Sequence, residues 1–210
     1  MSCIKNVFHL YGYDVLITQT DGTIESELHH LNLFNKLRTH GIIFAGTPLH
    51  NKHTNMIAGT PCIAIGQISK IPSIPSVHID NITAAYEAVT SLIQNGHRNI
   101  AMIRGSGTSA VGGERFAGYL QALTDTGISM RKDWVVESEL SVEEGMRAMS
   151  SIAATGSLPT AVFCSTDLMA LGAMNYLLDN GLRVPEDVSV FRFDGSYLEV
   201  DLRSYLARNI

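Results

Sequence analysis

The chain alternates between short apolar runs and longer stretches whose apolar residues recur at helical spacing. Residues 13–18 (YDVLIT) read as a strand, and residues 25–38 as a helix with Leu28, Leu31, Phe34 or Asn35, and Leu37 or Arg38 on one side. Residues 41–45 (GIIFA), 61–65 (PCIAI) and 76–79 (SVHI) follow as short strands. Asp80 or Asn81 can then cap a helix by accepting a bond from a free backbone N–H. Ile82, Ala85, Tyr86, Val89, Leu92 and Ile93 form its apolar face, and Gly96 supplies a left-handed stop. The alternation continues as strand 99–103, helix 113–126, strand 134–136, helix from Ser141 to about residue 155, strand 160–164, helix 166–179 and strand 188–193. Ser141 and Glu144 predict a capping box for the helix that starts there.

Strict β-α alternation with short links predicts an α/β fold built on parallel sheets with helices on both faces. The stretch 67–75 (QISKIPSIP) holds two prolines and little pattern, and is the expected linker between two lobes. No internal repeat or low-complexity segment interrupts this organisation.

Composition removes several classes. The chain has 210 residues, of which 45% are hydrophobic and 17% charged, with a net charge of -5. That is too apolar and too weakly charged for a disordered protein. No apolar run approaches the ~20 residues of a membrane helix, and the first nine residues lack the apolar core of a signal peptide, so a cytoplasmic location is expected. Fifteen basic residues against twenty acidic ones, with no basic cluster longer than a pair, speak against direct nucleic-acid binding. Cys3, Cys62 and Cys164 show no zinc or redox spacing and are expected as reduced thiols in or near the core.

Candidate chemistry is sparse. Residues 105–110 (GSGTSA) fit the G-x-G-x-x-G/A pattern after a strand, with Glu137 placed to meet a ribose hydroxyl, but a further loop at 111–113 intervenes before the expected helix. There is no P-loop lysine and no G-x-S-x-G elbow. His29, His30, His40, His50 and His53 lie in the first third without a carboxylate or thiol at ligand spacing, so no metal and no cofactor are expected. Arg115 and Asp194 stand out because both lie beyond carboxyl ends of parallel strands, where open α/β sheets bind ligands. A planar fork of donors and a carboxylate together suit a polyhydroxylated or heterocyclic small molecule.

Four strings resemble the lactose/galactose repressor (LacI/GalR) family of transcriptional regulators. They are residues 92–101 (LIQNGHRNIA), residues 114–119 (ERFAGY), residues 159–164 (PTAVFC) running into 167–173 (DLMALGA), and residues 181–190 (GLRVPEDVSV) followed by Phe193-Asp194-Gly195. Residues 12–18 and 40–44 fit the family's first lobe. The resemblance covers about residues 1–197 and implies a periplasmic-binding-protein-like fold of type I, with two Rossmann-like lobes flanking an effector cleft. It implies a sugar or nucleobase effector, no catalytic residue, a homodimer, no membrane contact, and operator DNA as a partner only of full-length relatives. Arg115 and Asp194 would contact effector, Thr166 sits where a polar contact lies in the family, and Asp80 starts the second lobe near the hinge.

On this reading residues 1–79 form a partial first lobe that begins inside its first helix and lacks its first strand. Residues 80–195 form a nearly whole second lobe, and residues 196–210 form a divergent tail. No helix-turn-helix headpiece is expected in the chain. Two positions depart from the family: Arg192 replaces the glycine of "GFD", where a bulky cation is expected to crowd the strand end, and His40 replaces the aspartate of "DGII". The rival readings are a transporter's solute-binding protein, a gene remnant without function, and an NAD-linked enzyme using residues 105–110.

Overall fold

The computed structural model describes residues 2–46, 49–57, 59–66, 69, 71–106 and 109–195. The expected tail at 196–210 lies outside the described residues, as do Gln67, Ile68 and Lys70 of the expected linker and Gly107 and Thr108 of the glycine-rich motif. The chain divides into two units between His78 and Ile79. Ile71 and Ile74, in the expected linker, are instead buried in the core of the first unit.

The first unit contains helices α1 (Ser2–Leu10), α2 (Ile24–Lys36) and α3 (Asn51–Ile57) and strands β1 (Ile42–Ala45), β2 (Cys62–Ile65) and β3 (Ser76–Val77). The strands form a parallel sheet in the order β1-β2-β3, with Ile42 opposite Cys62 and Ala64 opposite Ser76. Ile42 and Phe44 point into a core with Leu31, Leu49, Ile57 and Ala64, while Ile43 and Ala45 face outward, which is the two-residue period of a strand. The apolar run at 13–18 is not a strand. Its residues join no ladder, and Tyr13, Leu16 and Ile17 are exposed. Apolar content alone does not make a strand without a neighbour to receive its backbone bonds.

Helix α2 ends in a Schellman motif. Arg38 N–H donates to Asn35 at 3.1 Å, Thr39 N–H donates to Phe34 at 3.2 Å, and Arg38 takes φ 53°. Glycine is the residue that adopts this conformation without steric cost. Arg38→Gly is therefore expected to stabilise the chain by roughly 0.5 kcal/mol, the left-handed penalty relieved minus the added freedom of the unfolded chain. Arg38→Val should destabilise it. Urea midpoints compared at equal slope check both directions.

The second unit has β4 (Ile100–Arg104), β5 (Val135–Glu137), β6 (Ala161–Cys164) and β7 (Ser189–Arg192), all parallel, in the order β5-β4-β6-β7. Helices α4 (Asn81–Gln94) and α5 (Ala110–Asp125) cover one face, and α6 (Val142–Ala153) and α7 (Asp167–Asp179) cover the other. Alternate residues of each strand serve the two layers. Ile100, Met102, Ala161 and Phe163 pack with Val89, Tyr119 and Leu123, whereas Ala101, Ile103, Val162 and Cys164 pack with Met149, Ile152, Met169 and Leu177. The runs are apolar throughout because both faces are covered.

Three local expectations are corrected here. Ile82 is exposed rather than part of the buried face of α4. Helix α5 opens at Ala110, so residues 111–113 are helical and not a loop. Ser109 caps this helix by accepting from Gly112 N–H at 3.2 Å, and Gly112 lies so close to the carbonyls of Gly105 and Ser106 that a Cβ would meet them at 3.3 Å. The capping box of α6 is half formed. Ser141 accepts from Glu144 N–H at 3.1 Å, but Ser141 N–H donates to the Glu139 carbonyl and the Glu144 carboxylate pairs with Arg147.

Candidate functional site

In the second unit the chain leaves β4 toward β5 on one side and later returns through β6 on the other. The neighbours β4 and β6 thus flank a topological switch point, the position where open α/β sheets leave a crevice beyond their carboxyl ends. The helices that follow these two strands, α5 and α7, supply the polar groups gathered there.

Arg115 lies in the second turn of α5. Gly118, one turn further, is pressed against α4 so tightly that a Cβ would stand 2.2 Å from the Ile82 carbonyl oxygen. This close approach brings Arg115 beside the first residue of α4. Arg115 Nε donates to Asn81 Oδ1 at 3.0 Å, and Nη1 donates to Asp194 Oδ1 at 3.0 Å and to the Ser165 carbonyl. The guanidinium carbon lies 3.7 Å from the centre of the Phe193 ring. Asn81 in turn donates to Glu114 at 2.9 Å and to the Ile79 carbonyl at 3.3 Å. Burial holds the Arg115 guanidinium below its ordinary range, and the nearby carboxylates of Asp194 and Glu114 offset only part of that. Arg115 is buried, whereas the Asp194 side chain is 39% exposed, so its carboxylate faces solvent beside the held cation.

The four expected site residues therefore stand in different relations. Arg115 and Asp194 touch directly. Thr166 follows Ser165, which accepts from Arg115, and its own hydroxyl accepts from Met169 N–H at 3.4 Å as the cap of α7. Asp80 precedes Asn81, and both its carboxylate oxygens accept from Thr83, at 3.0 and 2.8 Å, as the cap of α4.

Further residues complete the arrangement: Asp167 and Arg104, to which the sequence assigns no site role, and Arg192, Glu137 and Asn81, which it singles out for other reasons. Asp167 is buried in the first turn of α7 and accepts from Gly195 N–H at 3.2 Å, which holds the segment after β7. Arg192 is half-buried and its Nη1 lies 3.8 Å from Asp167 Oδ2. The expected crowding at this departure is thus met by a carboxylate. Arg104, at the end of β4, pairs with Glu137, its register partner at the end of β5, at 2.5 Å. Asn81 was named only as an alternative cap, because its bond to Arg115 depends on the helix contact at Gly118.

Two of the histidine candidates and two of the cysteines are engaged in the structure. His53 Nδ1 accepts from His50 N–H at 2.9 Å, and Nε2 donates to Glu27 Oε2 at 2.9 Å, so both ring nitrogens serve a buried pair between α2 and α3. Cys164 is buried and Cys62 half-buried. Burial pushes the Cys62 thiol up to about 11 and raises that of Cys164 as well, so both stay protonated. The side chain of Cys3 lies outside the described residues. No helix among the described residues is long and apolar enough to cross a membrane.

Parallel α/β units with polar groups beyond their strand ends occur in many ligand-binding folds, and the match to known proteins makes this one periplasmic-binding-protein-like. The chain belongs to the family of periplasmic binding proteins and sugar binding domains of the LacI family, whose model matches residues 1–199. It is 32% identical over 206 residues to catabolite control protein A of Priestia megaterium, covering 97% of this chain and 62% of that protein. It is 32% identical over 193 residues to the HTH-type transcriptional repressor PurR of Pasteurella multocida, covering 89% of this chain and 57% of the relative. The chain thus spans about six-tenths of the length of these relatives. Among solved structures, a sugar-binding transcriptional regulator of the LacI family from Escherichia coli, complexed with phosphate, superposes with a TM-score of 0.81 at 27% identity, covering 94% of this chain and 72% of that one. These relatives are transcriptional regulators, and none is a dehydrogenase or a transporter component.

Proposed function

We propose that this chain is the effector-binding portion of a LacI/GalR-type transcriptional regulator, that it binds a small sugar or nucleobase, and that it performs no catalysis. Residues 1–79 then belong to the first lobe, residues 80–195 to the second, and residues 196–210 to a divergent tail. In the whole regulator, a cytoplasmic homodimer, effector would act by preferring one lobe arrangement and so shift the population competent for operator DNA. The observation that carries this reading is the Arg115–Asp194 pair at the switch point, a buried cation holding a half-exposed carboxylate. Such a pair offers fixed acceptors to hydroxyl or ring N–H groups without a nucleophile or a base poised for chemistry.

Thermal unfolding of the purified chain against sugars, nucleobases and NAD tests the reading. A ligand that binds only the folded state raises stability by about 2.7 kcal/mol at 100 times its dissociation constant. A sugar or base is expected to raise the midpoint and NAD is not. Asp194→Asn should weaken binding of the confirmed ligand by about tenfold or more, the loss of one charge-assisted hydrogen bond. Undiminished binding by Asp194→Asn would remove Asp194 from the site, and a shift by NAD alone would replace the reading with a cofactor site.

A further inference from the structure

Glycine follows asparagine at two places in the chain, Asn95-Gly96 and Asn180-Gly181. Both pairs stand at the same structural position, the C-terminal cap of a helix, α4 in one case and α7 in the other. We propose that Asn95 and Asn180 are sites of covalent self-modification, the loss of the side-chain amide through a cyclic imide, and that the folded caps hold both sites shut, so that conversion proceeds only when the last turn of the helix opens. The inference stands apart from the effector reading.

The chemistry needs only the chain and water. The glycine nitrogen attacks the asparagine Cγ, so an N–Cγ bond forms and the Cγ–Nδ2 bond breaks. Nδ2 leaves as ammonia, taking the proton that the glycine nitrogen gives up. Water then opens the five-membered imide at either carbonyl, leaving aspartate or, with the chain rerouted through the side chain, isoaspartate. Nothing is oxidised or reduced. Glycine favours the step because no Cβ crowds the attacking nitrogen. Both asparagines and both glycines are exposed, so water is at hand.

The cap geometry opposes this attack. With ψ 11° at Asn95 and 14° at Asn180, the glycine nitrogen nearly eclipses the asparagine's own nitrogen. Tetrahedral geometry at Cα then turns it about 120° from Cβ around the Cα–C bond, whereas the planar imide needs the two eclipsed. Hydrogen bonds hold the arrangement. Asn95 Nδ2 donates to the Ser91 carbonyl at 2.8 Å, Gly96 N–H to Ile93 at 3.0 Å and His97 N–H to Leu92 at 3.1 Å. The second site repeats the pattern: Asn180 Nδ2 donates to Tyr176 at 2.8 Å, Gly181 N–H to Leu178 at 3.0 Å and Leu182 N–H to Leu177 at 2.9 Å. The attacking nitrogen and the leaving nitrogen are thus both tied to helix carbonyls, and they come free together when the turn frays.

The product cannot restore the cap. Its carboxylate has no N–H to donate to Ser91 or Tyr176, and it sets a negative charge at the helix end whose free carbonyls are already negative. Isoaspartate also adds an atom to the main chain and shifts the residues that follow. Each conversion is therefore an irreversible record of one opening. The helices marked in this way are those whose first residues, Asn81 of α4 and Asp167 of α7, bond to Arg115 and to Gly195.

Ageing of the full chain at neutral pH, native and in concentrated urea, tests the inference, with peptide-mapping mass spectrometry reading the amide-to-acid mass gain at each asparagine. In urea, Asn95 and Asn180 are expected to convert well ahead of Asn51 and Asn55, which precede lysine and methionine. In the native chain both should convert at least about tenfold more slowly than in urea, the factor that a rarely populated open turn imposes. His97→Pro removes the N–H that bonds Leu92, so native conversion at Asn95 should rise severalfold while Asn180 keeps the parent rate. Arg98→Ala, which removes the guanidinium bond to the Ile93 carbonyl at 2.9 Å, should act in the same direction and serves if His97→Pro does not fold. Equal rates in native and unfolded chains overturn the guarding role of the caps. Conversion in urea no faster than at Asn51 and Asn55 overturns the assignment of the sites. A variant of the α4 cap that leaves Asn95 at the parent rate, or that accelerates Asn180 as much, overturns the gate at the helix end.

Discussion

Gly172→Ala is expected to lower the stability of the second unit by about 3 kcal/mol, at the upper end of what overpacking costs. A Cβ at residue 172 would stand 2.2 Å from the Val142 carbonyl oxygen and 2.6 Å from the Met146 nitrogen. Both are backbone atoms of α6, so no side-chain rotation relieves the contact. The reciprocal position, Gly145, is also too tight for a side chain, with a Cβ 2.7 Å from the Met169 carbonyl oxygen. Helices α6 and α7 therefore meet backbone to backbone through paired glycines, and a methyl group must drive them apart and open the layer formed by Met149, Ile152, Met169 and Leu177. A loss of this size corresponds to roughly 10 °C in the melting midpoint of a chain this long. Gly113→Ala is the control. Nothing lies within 4 Å of a Cβ there and the residue is exposed within α5, so helix propensity should raise stability by about 0.5–1 kcal/mol. A Gly172→Ala chain that melts within a degree or two of the parent would show that the two helices are not in the described contact.

The second large effect concerns Arg115. Arg115→Met keeps the length of the side chain and removes its donors. Asn81 Oδ1 and the Ser165 carbonyl then lose a partner while buried, at about 1–3 kcal/mol each, whereas the half-exposed Asp194 carboxylate can return to water at smaller cost. The summed expectation is about 3 kcal/mol, with ligand binding lost as well. Asp194→Asn should cost clearly less, because Arg115 keeps its bonds to Asn81 and Ser165. Urea midpoints at equal slope give the order directly. If Asp194→Asn proves the more destabilising of the two, the buried acceptors are not what Arg115 holds in place.

These two positions also mark how far the sequence could be read. Arg115 and Asp194 were legible because they follow strands whose periodicity is plain, and the carboxyl side of a parallel sheet is a position defined by chain order. Ser165 and Asp167 were not singled out and Asn81 was named only as an alternative cap, since their contacts depend on how closely α4 approaches α5 and how the segment after β7 is held. Those distances come from glycines such as Gly118, whose role appears only when the neighbouring helix is in place. The start of α5 was misplaced for a related reason. Gly112 and Gly113 suggest a loop, yet Ser109 caps the helix ahead of them and Gly112 serves a close approach to Gly105 and Ser106. The strand expected at residues 13–18 fails differently, because its pattern is apolar enough but a ladder is a property of two segments. Helix α3 escaped notice because seven residues give barely two turns of periodicity, and one of its buried positions is the polar His53.

The alternation of core residues along β4 and β6 has a consequence for how such a protein can change. The side chains that hold the second unit together point above and below the sheet, while those that a ligand would meet sit on connections beyond the strand ends. Substitutions at exposed rim positions such as Glu139 and Leu140 disturb no core layer, so they draw little on the narrow margin between folded and unfolded states. A lineage can therefore explore new signals by drift at the rim while its scaffold stays fixed. The exception is Arg115, which belongs to both parts: it anchors buried acceptors and faces the rim. Descendants of this chain should vary their loops freely and keep that arginine.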